Sequence, residues 1–590
     1  MTFIRRLKCL LPSPGIVLFV AMAAVVYGCP LLLAKRIPLL DPDEGLHASI
    51  AQEMVERGDW IVPRQFGEPF LDKPILYFWA EALSLRTFGM SEAAVRLPGM
   101  LFGLLGAIST MAVAWRLFGR LTGIVSGCFY LTMILPTALT QVPCHDIAMI
   151  PWVNLTLLCY WQADHAAADI AGGAGARRAR LFWTIAAGVL LGLALLTKGL
   201  TGIALVGVTY GSYLLIAREF RRDHMRRAAL SLAVACVIGG CWYGMVEARI
   251  PGFIYYYFFV RHILGFVTDT QPHGGAAWWY YLPYFAVGGL PWVAYLPVAW
   301  IDARSQGIRH TPCAAAARPT ECAGYISGRP TLFMACWMIG SALFLSSAHS
   351  KLVTYIWPVF PAIAILAATV WASAIEGTLS ASARRLMSMI VWSTCLVAPV
   401  FVPVVFIVTQ MVLPVRVSPL GWCIGLTAAV SIWGPLWCWA QGQIRAACML
   451  ANLSVVCQLA SVMIFVFPQV AATLSAPDLA WHINQTHSLP ARLLIAQERV
   501  GSLIFYLDPD LRADLHNTQQ IDSIDIDDPL PKPVQGNDLI VLPERHLHTA
   551  LSHYQLHGAP YEQAGRFRIY NRSELQEHVL VARGDDLLQR

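Results

Sequence analysis

Apolar runs that approach ~20 residues, the length that crosses the hydrocarbon core of a bilayer, follow one another through most of this 590-residue chain. Hydrophobic residues make up 57% of it and charged residues 13%, against about 25% charged in a soluble protein. A β-barrel would show short alternating segments in place of these long runs. The pattern specifies a polytopic α-helical membrane protein. Helices are expected near 16–34, 94–115, 121–140, 147–163, 181–197, 199–217, 228–246, 278–300, 331–347, 352–373, 386–413, 419–440 and 446–468. The first run follows MTFIRRLK, as a signal peptide would, but no small-x-small cleavage site follows it. It is read as the first of about thirteen transmembrane helices.

Arginine assigns the sides of the membrane. Arg5, Arg6 and Lys8 precede the first helix, and Arg116 and Arg120 flank the turn after the second. Then come Arg177, Arg178 and Arg180; Arg218, Arg221, Arg222, Arg226 and Arg227; Arg304, Arg309, Arg318 and Arg329; Arg384 and Arg385; and Arg445. Every cluster falls on alternate connections, on the side of the N-terminus. The N-terminus is therefore expected in the cytoplasm, with the 35–93 and 247–277 connections and the tail after 470 outside. The net charge of +6 follows from these arginines and carries no nucleic-acid signal. Fifteen cysteines, none after Cys457 and none in a C-x-x-C pair, read as apolar fillers, with no disulfide framework and no zinc cage.

Residues 1–469 are thus expected to form the membrane domain and residues 470–590 a small α/β domain. In the tail, ARLLIAQ, SLIFYLD, NDLIVLP and FRIYNR read as β-rich runs and PERHLHTALSHY as a helix. IDSIDIDDPLPKPVQGND reads as a polar linker.

Carboxylates are concentrated in one place. The stretch LLDPDEGLHASIAQEMVERGDWIVPRQFGEPFLDKPILYFW holds Asp41, Asp43, Glu44, Glu53, Glu56, Asp59, Glu68 and Asp72. HASIAQEMVERGDW puts Ile50, Met54 and Val55 on one helical face, with Gln52, Glu53 and Glu56 largely elsewhere, as in a helix lying in the membrane interface. Asp43 and Glu44 then fall at its N-terminus, where the dipole favours negative charge. One cap needs one carboxylate, so capping does not account for Asp41, Asp43 and Glu44 together. In LDKPILYFW, Pro74 fits the first turn of a helix that Asp72 could cap, leaving Lys73 at a membrane boundary.

Other outer connections add His145 and Asp146, Lys198 in the short turn LLTKG, His349, Lys351 and Tyr355, and Arg261, His262, Asp269 and His273. Each alone reads as an interfacial anchor. Together they are cations and carboxylates converging on one face, and ionisable groups at such depth are costly and usually functional. The cations suit a phosphate on a lipid, and the carboxylates suit a divalent metal or a base for a nucleophile. No Gly-rich phosphate loop appears in the cytoplasmic connections. A phosphate-bearing substrate should therefore arrive within the membrane, and the reaction should occur outside.

The acidic stretch, with RLP at 96–98, LLTKG at 195–199 and SKLVTYIWPVFP at 350–361, resembles the aminoarabinose (lipid A) transferases, within the protein O-mannosyltransferase-like group of C-type glycosyltransferases. The resemblance covers roughly residues 35–365. It implies a C-type glycosyltransferase fold in the inner membrane, with a periplasmic C-terminal domain. It also implies transfer of a sugar from a polyprenyl (undecaprenyl) phosphate carrier to lipid A or another envelope glycan. Asp43, with Glu44, matches the catalytic acidic motif. Lys73 matches the lysine that binds the carrier phosphate, joined by Lys351, Arg261, Lys198 and Tyr355. Asp146 and Tyr77 fall on the substrate cavity. A divalent metal ion is the candidate cofactor, with Asp72, where relatives often have glutamate, and His262 its candidate ligands. Relatives often place arginine where this chain has Gly265, which leaves the phosphate to Arg261, or to Lys73 and Lys351.

The implied chemistry is inverting, with the carrier phosphate leaving as the acceptor attacks. Two alternatives belong to other classes. One is a lipid or lipid-linked sugar transporter, against which stand the missing repeat and the absence of mid-membrane ionisable groups. The other makes the tail a partner-binding module on a membrane scaffold. A protein O-mannosyltransferase-like enzyme remains a variant of the main reading.

Overall fold

The computed structural model describes residues 13–65, 67–169, 173–268, 276–309, 329–412 and 416–486, then 492–496, 501–515, 521–524, 538–543, 549, 551–552, 559–564 and 567–571. They form two compact units. The first takes in the chain up to Leu33, Leu71–Tyr77 and Arg96–Val466; the second takes in Ala34–Phe70, Phe78–Val95 and the chain from Phe467 onward. This grouping differs from a division at residue 469, because most of the first outer connection packs with the C-terminal part.

The chain is a multi-pass membrane protein. Nine helices among the described residues are long and apolar enough to cross a membrane, ten if the bent pair Tyr281–Gly288 and Trp292–Ser305 counts as one span. The other expected crossings are helical but fall short for visible reasons. The 121–140 segment breaks between Arg120–Leu131 and Ile134–Leu139. Helix His145–Asp169 carries Asp146, Asn154 and Asp164 within its length. Pro330–Ser346 is a shorter apolar helix, interrupted by the π-helical turn Cys336–Gly340. Val353–Glu376 is the central span, with 83% of its apolar window buried, whereas Ala381–Val412 has 22%. Its 3₁₀ opening, Val353–Val359, contains Pro358; the α-helix that follows from Phe360 has Pro361 in its first turn and stops at Gly377 in the left-handed region (φ 74°).

In the first unit, aromatic side chains carry much of the packing. The bend after Gly288 is held by Trp292, which stacks on Phe129 with ring centroids 3.6 Å apart and donates from Nε1 to Thr132 Oγ1 at 2.8 Å. Trp357 donates to the Tyr130 hydroxyl at 2.9 Å and Trp337 to the Pro358 carbonyl at 2.9 Å. The indole N–H groups of Trp292, Trp357 and Trp337 thereby each find an acceptor, the pairing that a buried indole favours.

The second unit contains a two-stranded hairpin, β1 (Arg64–Gln65) and β2 (Glu68–Pro69), and a five-stranded mixed sheet. The sheet consists of β3 (Arg492–Ala496), β4 (Ile521–Ile524), β5 (Asp538–Pro543), β6 (Glu562–Ala564) and β7 (Phe567–Asn571), in the order β4-β3-β5-β7-β6. β3 pairs parallel with β4 and β5, and β7 pairs antiparallel with β5 and β6, setting Val541 opposite Ile569. Leu479, Ile483, Leu493, Leu503, Val541 and Phe567 fill its core. ARLLIAQ, NDLIVLP and FRIYNR are strands as expected. SLIFYLD is instead the helix Gly501–Tyr506, part of the crossover that a parallel β3–β4 pair requires. IDSI, at the head of the expected linker, is β4. PERHLHTALSHY lies largely outside the described residues.

Helix Asp43–Arg57 forms where expected and ends at Gly58 in the left-handed region (φ 68°). It does not have a single apolar face. Gln52 and Glu53 are buried along with Ile50 and Met54, because the helix packs closely on Gly501–Tyr506 within its own unit. A Cβ on Gly45 or on Gly501 would run into the backbone of the other, so the approach depends on both glycines.

At the far end of helix His145–Asp169, Asp164 gathers three side chains. Arg227 Nη2 lies 2.6 Å from Oδ1, the Tyr210 hydroxyl donates to Oδ2 at 2.7 Å, and His224 Nε2 is 3.3 Å from Oδ1. The cluster joins three helices, His145–Asp169, Leu200–Ala217 and Arg222–Arg249. Arg227 is buried. Removing one partner of a buried ion pair strands the other charge and costs about 3–5 kcal/mol. Asp164→Ala should lower unfolding stability in detergent by about that much, and Asp164→Asn, which keeps an acceptor for Tyr210, by less. Thermal unfolding of the variants measures this; an Ala variant as stable as wild type would show that the cluster holds nothing together.

Candidate active site

Lys73 sits in the short first-unit segment Leu71–Tyr77. Pro74 and Asp72 do not open or cap a helix, since the next one begins at Leu76. The segment is held by its neighbours. His145 Nε2 lies 3.1 Å from the Pro74 carbonyl oxygen, and the His145 ring packs on Tyr77 at 5.2 Å between centroids. Asp72 accepts from the Tyr256 hydroxyl at 2.6 Å and pairs with Arg261 Nη2 at 3.2 Å. Asp72 is thus bound to a guanidinium and a phenol. Lys73, set between these anchored neighbours, forms no ion pair among the described residues and faces a cavity.

That cavity is lined by Asp72, Lys73, Lys198, Arg261, His262 and Tyr355, all from the first unit. Lys198 ends helix Gly173–Lys198, and its ammonium pairs with Asp146, the second residue of helix His145–Asp169. Both side chains are at least nine-tenths buried. The same ammonium lies 4.1 Å from the centroid of the Tyr355 ring, a cation–π contact that strengthens away from water. Gly199 turns the chain with φ 65°, and a Cβ there would lie 2.6 Å from both His262 Nε2 and the Tyr257 hydroxyl. LLTKG therefore needs its glycine twice, for the turn and for the room it leaves.

Arg261 and His262 lie on Tyr255–Leu264, a ten-residue π-helical run. π-Helical turns are rare and concentrate at functional sites. This one turns both Tyr256 and Arg261 toward Asp72. Burial holds the His262 imidazole below its ordinary 6.5, with Lys73 and Arg261 adding to the effect and backbone groups of Tyr257 and Lys198 opposing it. Gly265 also lines the cavity, so the position at which the resemblance led one to expect arginine faces it without a charge.

Lys351 is placed differently from expectation. Its ammonium donates to the carbonyls of Ala276 at 3.0 Å and Ala348 at 2.5 Å, so it fastens two backbone segments, while its neighbour Ser350 lines the cavity. Asp269 and His273 lie outside the described residues. Among the described residues no three His, Cys, Asp or Glu side chains come together to hold a metal. Asp72 and His262 share the cavity, but Asp72 already bonds Tyr256 and Arg261, and His262 Nδ1 lies 2.8 Å from the Tyr257 carbonyl oxygen. Among the described residues this pair gains no third ligand.

In the second unit the acidic stretch divides its tasks. Asp41 accepts from the Ser502 N–H at 2.9 Å and from its hydroxyl. Glu44, fully buried, accepts from the Leu40 N–H at 2.7 Å. Glu53 accepts from the Gly67 N–H at 3.1 Å and pairs with Arg57 at 2.7 Å, and Glu56 pairs with Arg512 at 2.8 Å. Asp59 accepts from the Ile61 N–H at 3.0 Å. Asp43 stands apart from these: it is exposed, and its carboxylate makes no hydrogen bond or ion pair among the described residues. It lies in the first helical turn, where unpaired N–H groups stabilise an anion.

Sequence reasoning missed Tyr256 and Glu81. Tyr256 was hidden in an aromatic run whose π-helical winding no 3.6-residue period reveals. Glu81 had a signal, a single carboxylate within LYFWAEAL. It is fully buried, and among the described residues neither carboxylate oxygen has a hydrogen-bond partner. Burial, then the neighbouring Glu44, raises its pKa well above the ordinary 4.5.

A family model described as dolichyl-phosphate-mannose-protein mannosyltransferase matches residues 72–242, which include Lys73, Asp146 and Lys198. An undecaprenyl phosphate-alpha-4-amino-4-deoxy-L-arabinose arabinosyl transferase of Aeromonas salmonicida is 29% identical over 351 residues, 59% of this chain and 58% of the relative. The transferase of the same name from Erwinia tasmaniensis is 30% identical over 352 residues, 60% of this chain and 58% of the relative. These matches span less than two thirds of the relatives' own length. The crystal structure of ArnT from Cupriavidus metallidurans bound to undecaprenyl phosphate is similar at a TM-score of 0.69 and 25% identity, covering 95% of this chain and 98% of that one. The archaeal oligosaccharyltransferase AglB of Archaeoglobus fulgidus shares the fold at a TM-score of 0.51 and 9% identity, over 95% of this chain and 74% of that one. The expected C-type glycosyltransferase fold and the resemblance that suggested it are both borne out.

Two outcomes follow from this geometry. Gly199→Ala should destabilise the cavity, since an L-residue at positive φ costs roughly 1–2 kcal/mol before the contact with His262; thermal unfolding should show Gly199→Val to be worse than Ala. For Glu81, the folded state holds a proton that the unfolded chain releases above about 4.5. Wild type should therefore lose stability as pH rises from there toward the folded pKa, by up to about 1.4 kcal/mol per pH unit. Glu81→Gln should lack that loss, so its advantage should grow as pH rises above about 5 toward the folded pKa, on the order of this slope. Parallel pH profiles of the two proteins would overturn the assignment.

Proposed function

We propose that this chain is an integral-membrane glycosyltransferase that moves a sugar from undecaprenyl phosphate to lipid A, with 4-amino-4-deoxy-L-arabinose as the sugar. The observation that carries the reading is the cavity in which Lys73, Lys198 and Arg261 meet. Lys198 and Arg261 are neutralised by Asp146 and Asp72, while Lys73 has no counter-ion among the described residues. One uncompensated ammonium among polar neighbours suits one phosphate. The likeness to ArnT bound to undecaprenyl phosphate and to the arabinosyl transferases supports naming that phosphate a polyprenyl one.

The step is a displacement at the anomeric carbon. An acceptor oxygen forms a bond to C1 as the bond from C1 to the carrier's phosphate oxygen breaks, and the electron pair stays on the phosphate. Inversion follows from attack on the opposite face. Charge grows on the departing phosphate, so a fixed cation in a water-poor cavity lowers the barrier more than the same cation in water. Lys73 is that cation, and the Asp72 pairs and the His145 contact hold its segment in place. Asp43 keeps the part that the motif resemblance assigns. It takes the proton if the acceptor is a hydroxyl, and positions the acceptor if it is a lipid A phosphate, which is already anionic. The arginine distribution supports an inner-membrane protein with its N-terminus in the cytoplasm and its C-terminal domain in the periplasm.

Mass spectrometry of lipid A from cells carrying wild type, Lys73→Ala, Asp43→Ala or no gene tests this. Wild type should add a pentosamine increment that the gene-free strain lacks. Lys73→Ala should reduce it by about 10²–10³-fold, as expected for losing one group that stabilises developing charge. No increment with wild type would remove lipid A as acceptor. An increment retained in Lys73→Ala would overturn the role given to that ammonium.

A further inference from the structure

A second cavity lies among residues that the reaction does not use. It has a volume of about 620 Å³, within the range of small-molecule sites (about 300–1,000 Å³). Four chain segments enclose it: the start of helix Pro14–Ala23, the start of Arg120–Leu131, the end of Phe360–Glu376 and the start of Ile444–Phe465. All four belong to the first unit. These ends lie on or beside connections that the arginine pattern places on the side of the N-terminus. Three are helix starts, whose free N–H groups favour an anion nearby.

The lining is divided. Leu18, Ile124, Val125 and Cys128 supply apolar wall. Arg120, Arg445 and Glu376, all exposed, supply charge. Among the described residues neither guanidinium forms an ion pair, with Glu376 or with any other carboxylate. Arg120 is steadied by the Trp115 ring, 5.6 Å from its centroid. The Ser13 hydroxyl lines the same space, buried and, among the described residues, without a hydrogen-bond partner. A cavity with apolar walls and two unpaired guanidiniums suits an amphiphile with a phosphate head. The carboxylate narrows the choice: a purely anionic head would meet Glu376 unfavourably, whereas a head carrying both phosphate and ammonium satisfies all three charges.

We infer that this cavity binds a glycerophospholipid of the phosphatidylethanolamine class, its phosphate on Arg120 and Arg445, its ammonium on Glu376, and acyl chain against the apolar wall. The site is separate from the sugar-transfer cavity, shares no residue with it, and stands whatever sugar or acceptor that cavity serves.

Native mass spectrometry of the detergent-purified full chain, titrated with phosphatidylethanolamine or phosphatidylglycerol, tests the inference. Wild type should retain phosphatidylethanolamine over phosphatidylglycerol. An Arg120→Ala/Arg445→Ala double variant should lose retention of both at least tenfold. Glu376→Gln should keep binding and lose the preference. Thermal unfolding without added lipid shows whether the variants remain folded, and Glu376→Gln, a near-isosteric change at an exposed site, keeps the test open if the double variant does not. Equal retention by wild type and the double variant, or a wild-type preference for phosphatidylglycerol, would overturn the proposal. So would adducts that appear only after deletion of residues 1–12, which would give the cavity to the chain's own N-terminal segment.

Discussion

One buried ion pair organises the cavity. Lys198 and Asp146 meet away from water, where either charge alone would be costly and the pair holds only if both are fixed in place. The residues beside them are fixed in consequence. His145, next to Asp146, contacts the carbonyl of Pro74 and so places Lys73. Gly199, next to Lys198, leaves the space that His262 and Tyr257 occupy. Tyr355 lies against the Lys198 ammonium. The pair thus sets the positions from which three separate segments reach one cavity.

The same physics serves a different end at Asp164. There Arg227, Tyr210 and His224 surround one carboxylate, and the cluster joins helices. At the cavity, Asp146 and Asp72 answer Lys198 and Arg261 but Lys73 is left over. An ionisable group held within a membrane protein is costly there, and the imbalance among the described residues sets Lys73 apart from its neighbours. Lys351 shows why residue type alone does not identify such a group: its ammonium is satisfied by two carbonyls.

Much was legible before any coordinates. The long apolar runs announced the membrane class, and LDKP and LLTKG pointed to side chains that line the first unit's cavity. Less legible was how each acidic residue is used. Asp41, Glu44, Glu53, Glu56 and Asp59 hold backbone or cation partners within the second unit, and five carboxylates with structural duties look the same in sequence as one free carboxylate at Asp43. SLIFYLD misled because a short apolar run has no period long enough to separate helix from strand; the parallel pairing of β3 with β4 made it part of a crossover.

By itself the sequence determined what local composition can determine: that the chain must cross a bilayer, because no other solvent accepts so many unbroken apolar runs, and that scarce charge gathers at a few motifs. Only the tertiary structure decided which charges cancel. Pairing depends on distance across elements far apart in the chain, such as Asp146 with Lys198, Asp72 with Arg261 and Asp164 with Arg227. An electrostatic energy that falls with separation and rises with burial cannot be read from spacing along a sequence. Among the described residues it left Lys73 and Asp43 without an ion-pair partner, and Glu81 buried with its carboxylate unbonded.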